Sequence, residues 1–276
     1  MMSQKQNPPK WHHYVPVGYL KNFAVGNNFF GFNKLKQKAF PTRPKDVAAQ
    51  NDFHTDFRRV DPTELEVRLD RQFESPMLAD INRVIGRVRL ARAGLPTNPL
   101  VTPSEHLSLG KFAALQYIRT RAVREKMLVE AHKEIKPGMV VTAVQLAEKA
   151  HQHFIEQHLN DNLEWFGRAI AQHRLAFTTT SALHPYWTSD HPVIPARGKP
   201  GTKIDVGGVG LSEPNLELYL PLSWDIMAIF VGPHIQVRYQ PVIPAPPEHV
   251  AEVNRMLLSQ AHEFIFSCMA FDSVSF

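Results

Sequence analysis

The chain has 276 residues, 43% of them hydrophobic, enough for one large domain or two small ones around an apolar core. Its formal charge of +5, spread over 31 basic and 26 acidic side chains, admits an anionic partner such as nucleic acid and also fits an ordinary soluble surface. A single cysteine, Cys268, excludes an intramolecular disulfide framework and a cysteine-rich zinc site, so a reducing cytoplasm is the expected compartment. The start lacks the apolar run of a signal peptide and no window approaches the roughly 20 apolar residues of a bilayer span, so no membrane partner is expected.

After a polar leader, 1–10, expected to be flexible, comes Trp11-His12-His13-Tyr14-Val15-Pro16-Val17-Gly18-Tyr19-Leu20-Lys21-Asn22-Phe23. Two histidines stand among large aromatics, with Pro16 placed for a first helical turn. The pattern predicts a buried N-terminal plug, wedged between helices and sheet, that also delivers an imidazole to a pocket. Residues 28–35 read as a strand, and a second strand around Ala39-Phe40 completes a hairpin before Pro41 and Pro44 stop it. Residues 45–50 read as a short helical turn. Residues 52–57 alternate like a strand, with His54 on the face opposite Phe53, Thr55 and Phe57.

A helical middle follows, about 61–173. Asp61-Pro62-Thr63-Glu64 and Thr102-Pro103-Ser104-Glu105 both carry a capping residue, Pro at the first helical position and Glu at the third. Ser75-Pro76 marks a restart between two helices or a kink in one. In a helix expected over 103–135, Phe112, Leu115, Ala122 and Val123 share a face with Arg119 at its centre and Gln116 beside it. A guanidinium there must snorkel or be paired, because burying an unpaired charge is very costly. It is either part of a structural ion pair or the holder of an anion or substrate. A third long helix over 142–173, broken near Asn160-Asp161, puts His151, His158 and His173 on its apolar side, where a hydrogen-bonded core role is the ordinary outcome.

The last third, about 174–276, changes period. Segments 175–180, 186–188, 217–220, 226–231 and 235–239 read as strands, then a helix over 247–262 and a final strand over 263–267. Gly207-Gly208-Val209-Gly210 lacks the Gly-Lys-Ser/Thr ending of a phosphate loop. The predicted architecture is a single α+β domain over 11–276: an N-terminal β-hairpin, a central layer of long helices and a C-terminal, mostly antiparallel sheet.

Several segments together resemble the family catalogued as domain of unknown function 4238. They are His13-Tyr14-Val15-Pro16 with Tyr19-Leu20 and Asn22-Phe23, the helices with Glu66 and Phe73-Glu74, 112–124 with Gln116 and Arg119-Thr120, Trp187-Thr188-Ser189-Asp190-His191-Pro192-Val193, Leu220-Pro221-Leu222-Ser223, and Val253-Asn254. The resemblance covers nearly the whole chain and confers no activity. Two departures from the expected pattern, His191 after Asp190 and His54 after the Asp-Phe pair, each add an imidazole near the candidate site.

The polar residues of these segments give a candidate catalytic set of His13, Arg119 and Asp190, with Glu66 as a further carboxylate, Gln116 and His191 as substrate contacts, and His54, Asp190 and His191 as candidate ligands of a divalent ion. Imidazole titrates near neutrality and suits proton transfer. Arg119 then holds a phosphate, while Asp190 orients His13 or ligates the ion. On the other account Arg119 and Asp190 form a buried pair joining helices to sheet, and the cluster is architectural. Arg168 and His173 fit an Arg-x4-His spacing that resembles the helical ribonuclease motif of HEPN-type domains, a rival site. No nucleophile elbow supports a serine hydrolase. The functional expectation is a phosphodiesterase or nuclease acting on RNA or DNA, with microbial defence as its setting; the alternative is a non-catalytic binding or interaction protein. The sequence leaves oligomeric state open.

Overall fold

A computed structural model describes residues 11–57, 59–136, 139–197, 205–206, 213–235 and 241–271. Strand β1 (Trp11–His13) leads into one helical turn, α1 (Val17–Leu20), then β2 (Phe30–Asn33), β3 (Lys38–Pro41) and β4 (Ala49–Asn51). The helical middle holds α2 (Glu64–Arg68), α3 (Ser75–Arg92), α4 (Pro103–Ile118), α5 (Arg121–Glu134), α6 (Ala143–Gln157) and α7 (Leu163–Ala171). The rest comprises β5 (Arg174–Thr179), β6 (Thr188–Ser189), β7 (Ile194–Arg197), β8 (Asp205–Val206), β9 (Leu216–Ser223), β10 (Ile226–Val231), β11 (Val242–Pro244), α8 (Pro247–Gln260) and β12 (Phe264–Ser267). The fold is α+β, as the patterning predicts.

Among the described residues three sheets form: β1 with β4; six strands in the order β11-β5-β10-β9-β7-β8; and four strands in the order β3-β2-β12-β6. All pairings are antiparallel except β11 with β5. The six-stranded sheet is apolar on both faces, as period-two alternation along its central strands requires. Ile226, Ala228 and Phe230 of β10, with Leu218 and Leu220 of β9, join the helical layer in one core cluster. Met227, Ile229 and Val231 of β10, with Tyr219 of β9, pack in a second cluster with Val250, Val253 and Leu257 of α8 and with Phe32 and Ile265 of the four-stranded sheet. Tyr19 bridges the layers. Its ring packs on Phe112 of α4 with centroids 5.3 Å apart, and its hydroxyl donates to the Pro221 carbonyl of β9 at 2.6 Å.

Several sequence expectations are corrected. The helix expected over 103–135 is two helices, because Thr120 is extended at φ −78°, ψ 161° and starts α5 afresh; Arg119 therefore sits at the end of α4 and not at mid-helix. Residues 52–57 form turns, not a strand, with Asp52 at φ +54° and the Thr55 N–H donating to its carbonyl. Asp61 accepts from the Thr63 N–H, which delays α2 to Glu64. The hairpin β2–β3 forms where expected, and β12 adds to it by pairing with β2. Strands β7 and β11 each contain a proline, Pro195 and Pro244, which masked them in the sequence pattern. The glycine run 207–210 and all but Ile235 of the strand expected over 235–239 lie outside the described residues.

Two π-helical segments join the long helices: Leu69–Glu74 between α2 and α3, and His158–Asn162 between α6 and α7, at the break expected near Asn160-Asp161. The first matters for the site. In a regular α-helix Glu66 and Glu74 would point roughly 80° apart, and the wider π turn brings them closer to one face.

Candidate metal centre

Strand β1 lies against β4 with His12 opposite Gln50 and His13 opposite Ala49. Successive residues of a strand face opposite ways, so His12 is fully buried while His13 is half-buried. The turn after β4 is held by the helices behind it. Arg124 of α5 stacks its guanidinium 3.4 Å over the Phe53 ring and donates to the Phe53 carbonyl, and Gln152 of α6 donates to the Thr55 carbonyl at 2.9 Å. Arg124 also donates to Nδ1 of His151, whose Nε2–H donates to the Ile118 carbonyl at 3.0 Å. These side chains fix His54 between β1 and α2.

His12, His54 and Glu66 form a group whose potential ligand atoms all lie within 4.8 Å of one another. The His12 and His54 rings stack with centroids 5.9 Å apart. His54 Nδ1 is 2.5 Å from Glu66 Oε2, and its Nε2 is buried with no hydrogen-bond partner among the described residues. A ring that donates from Nδ1 to a carboxylate carries its lone pair on Nε2, the arrangement found behind many metal-ligating histidines. Burial, with Arg119 and Arg124 nearby, pulls His54 down to about 4 despite Glu66, so the ring is neutral at pH 7. Burial works against the ionised Glu66, but the His54 N–H and Arg119 outweigh it and its pKa falls. Glu66 makes no ion pair with Lys or Arg among the described residues, and 20% of its side chain meets solvent. Two nitrogen donors and one oxygen donor within 4.8 Å of one another suit zinc or a similar borderline ion.

The residues expected to be catalytic separate. Arg119, 1% exposed, pairs with Glu74 and donates to the His13 backbone carbonyl, and no hydrogen bond or ion pair joins it to the His13 ring or to Asp190. The buried Arg119–Asp190 pair considered from the sequence is therefore replaced by Arg119–Glu74. Asp190 sits at the end of β6, where its carboxylate accepts the backbone N–H groups of His262, Glu263 and Phe264 at 2.9, 2.7 and 2.9 Å. The His13 ring donates from Nε2 to the Lys45 carbonyl at 3.1 Å, and burial lowers its pKa. Gln116 donates to the Tyr14 carbonyl at 3.3 Å. His191 meets Thr120. Of the three metal-ligand candidates only His54 joins a potential ligand group among the described residues. Arg168 is exposed and paired with Glu164, whereas His173 is buried, and no hydrogen bond joins them.

Sequence reasoning missed His12 and the partnership of Glu74 with Arg119. A signal for His12 was present: along an extended chain it shares a face with Tyr14, a core residue that is 3% exposed.

Among the described residues no helix is long and apolar enough to cross a membrane. A family model described as protein of unknown function (DUF4238) matches residues 11–270. No curated protein and no solved structure matches the chain.

Proposed function

The chain belongs to the DUF4238 family, whose function is unknown, and from the chemistry of its own His12, His54 and Glu66 we propose that it is a divalent-metal-dependent phosphodiesterase acting on RNA or DNA. The observation that carries this reading is the buried, unpartnered Nε2 of His54, held in place by Glu66. A bound divalent ion would polarise a phosphoryl oxygen and lower the pKa of a water. Glu66 orients His54 and is the solvent-facing edge of the group. His13 is neutral at pH 7, because burial lowers its pKa, and with Nε2–H committed to the Lys45 carbonyl its Nδ1 can accept a proton. Arg119 holds β1 in place through the His13 carbonyl and so serves the site as a positioning residue.

A second reading rests on His12. Its Nδ1 accepts the backbone N–H of His54 at 3.0 Å, which in a neutral ring puts the proton on Nε2. Ligation through either nitrogen would require a change of tautomer or the loss of that bond. This favours a polar core network in a non-catalytic binding or interaction protein.

Titration of the metal-free protein with Zn²⁺ and Mn²⁺, followed by cleavage assays on single-stranded RNA and DNA, separates the two. Stoichiometric binding lost in His54→Ala, with metal-dependent cleavage lost in the same variant, supports the enzyme. Folded protein that neither binds an ion nor cleaves overturns it in favour of the network.

A further inference from the structure

The segment Ser189-Asp190-His191-Pro192 takes no part in the His12 group, yet its His191 side chain lines a second place, and Ser189 and Asp190 hold the backbone around it. Ser189 Oγ accepts the His191 N–H at 3.1 Å. Asp190 gathers the backbone N–H groups of residues 262–264 and so fixes the turn between α8 and β12. The His191 ring then meets Thr120 at the start of α5, Nδ1 to Oγ1 at 2.7 Å. The ring is 1% exposed, and its Nε2 has no hydrogen-bond partner among the described residues.

That ring lines a cleft of about 430 Å³, together with Ala122, Glu125 and Lys126 of α5, Gln260 at the end of α8 and His262 beyond it. The polar groups here are unequal in sign. The Glu125 carboxylate is shared with Arg121 at 3.4 Å. Lys126 is exposed and has no carboxylate at ion-pair distance among the described residues. A cation beside Lys126 would be repelled, whereas an anion meets an ammonium and two imidazoles. With Thr120 donating to Nδ1, the His191 ring turns Nε2–H to the cleft, the tautomer that an anion there favours. A buried donor without an acceptor is costly, and an oxygen ligand removes that cost.

We propose that this cleft binds a small oxyanion, a phosphate or a carboxylate group, between His191 Nε2–H, the Lys126 ammonium and the His262 ring. It shares no residue with the His12 group and is independent of any metal there. The test uses the full chain with inorganic phosphate as probe and acetate in a second arm, reading the imidazole ¹⁵N and attached proton signals of His191 while calorimetry gives the affinity. Saturable binding that moves the His191 Nε2–H signal is expected. Lys126→Glu, a surface change that leaves the fold intact, weakens binding at least about tenfold, and His191→Phe abolishes it. Stronger binding of phosphate assigns a phosphoryl ligand, and stronger binding of acetate a carboxylate. The proposal is overturned by no saturable response to either anion up to roughly 10 mM, by binding unchanged in Lys126→Glu, or by a His191 signal that Zn²⁺ saturates and the anions do not.

Discussion

His54 Nδ1 lies 2.5 Å from Glu66 Oε2, so the turn after β4 and the helix α2 meet through one contact that leaves the other ring nitrogen with its lone pair. Glu66→Gln keeps the shape and a hydrogen bond but removes the charge. Zinc affinity measured by calorimetry is expected to fall roughly 10- to 100-fold, the usual effect of losing a carboxylate behind or beside a ligating histidine. Unchanged affinity in a folded variant would remove Glu66 from the site.

Arg119 is a test of architecture. Arg119→Met strands the Glu74 carboxylate, which is buried with its pKa already raised by burial, and frees the His13 carbonyl. Removing one partner of such a pair costs about 3–5 kcal/mol. Urea denaturation should show that loss, and the double variant Arg119→Met/Glu74→Leu should recover part of it, since neither charge then stays buried alone.

Asp190→Asn replaces two charged oxygens that accept three backbone N–H groups with a single neutral carbonyl oxygen. A loss of about 2–3 kcal/mol in folding stability is expected, with zinc affinity at the His12 group unaltered. Full stability combined with a lost ligand would return Asp190 to a binding role.

Acid should unfold the protein through its buried imidazoles. Burial holds His54 and His191 near 4 and His151 near 3, against an ordinary value of 6.5. Between those limits the unfolded chain binds more protons than the folded one, so stability is full above about pH 6.5 and falls as pH drops towards 4. Denaturation midpoints at pH 7.5 and pH 5 measure the drop, and His191→Gln, which cannot titrate, should flatten it.

Helices α4 and α7 approach closely through two glycines. A Cβ on Gly110 would stand 2.6 Å from the Gly167 carbonyl oxygen, a backbone atom that cannot swing away. Gly110→Ala is therefore expected to cost about 1–3 kcal/mol by overpacking, visible as a lowered thermal midpoint.

The fold was largely legible because its long elements are strongly patterned. Thr102 forms the capping box read from Thr-Pro-Ser-Glu, and β5, β10, α8 and β12 lie where their periods put them. Local pattern could not see tertiary choices. Helical periodicity runs straight through Arg119-Thr120, and only the ion pair with Glu74 and the extended Thr120 show why the chain breaks there. The site was legible in part: Glu66 and His54 were named, whereas His13 was preferred to His12 because both stand in one motif and only strand register says which faces inward.

Strand β12 lies between β2 and β6, with Phe264 opposite Asn33 and Ile265 opposite both Phe32 and Ser189. A ribosome delivers residue 33 more than two hundred residues before residue 264. Until the late strand emerges, β2 has β3 on one side and an open ladder of amide and carbonyl groups on the other. Such an edge is a template for any stray strand, so the nascent chain passes most of its synthesis in a form that invites mispairing or a chaperone. Closing a loop of that size also makes this sheet one of the slow steps of folding.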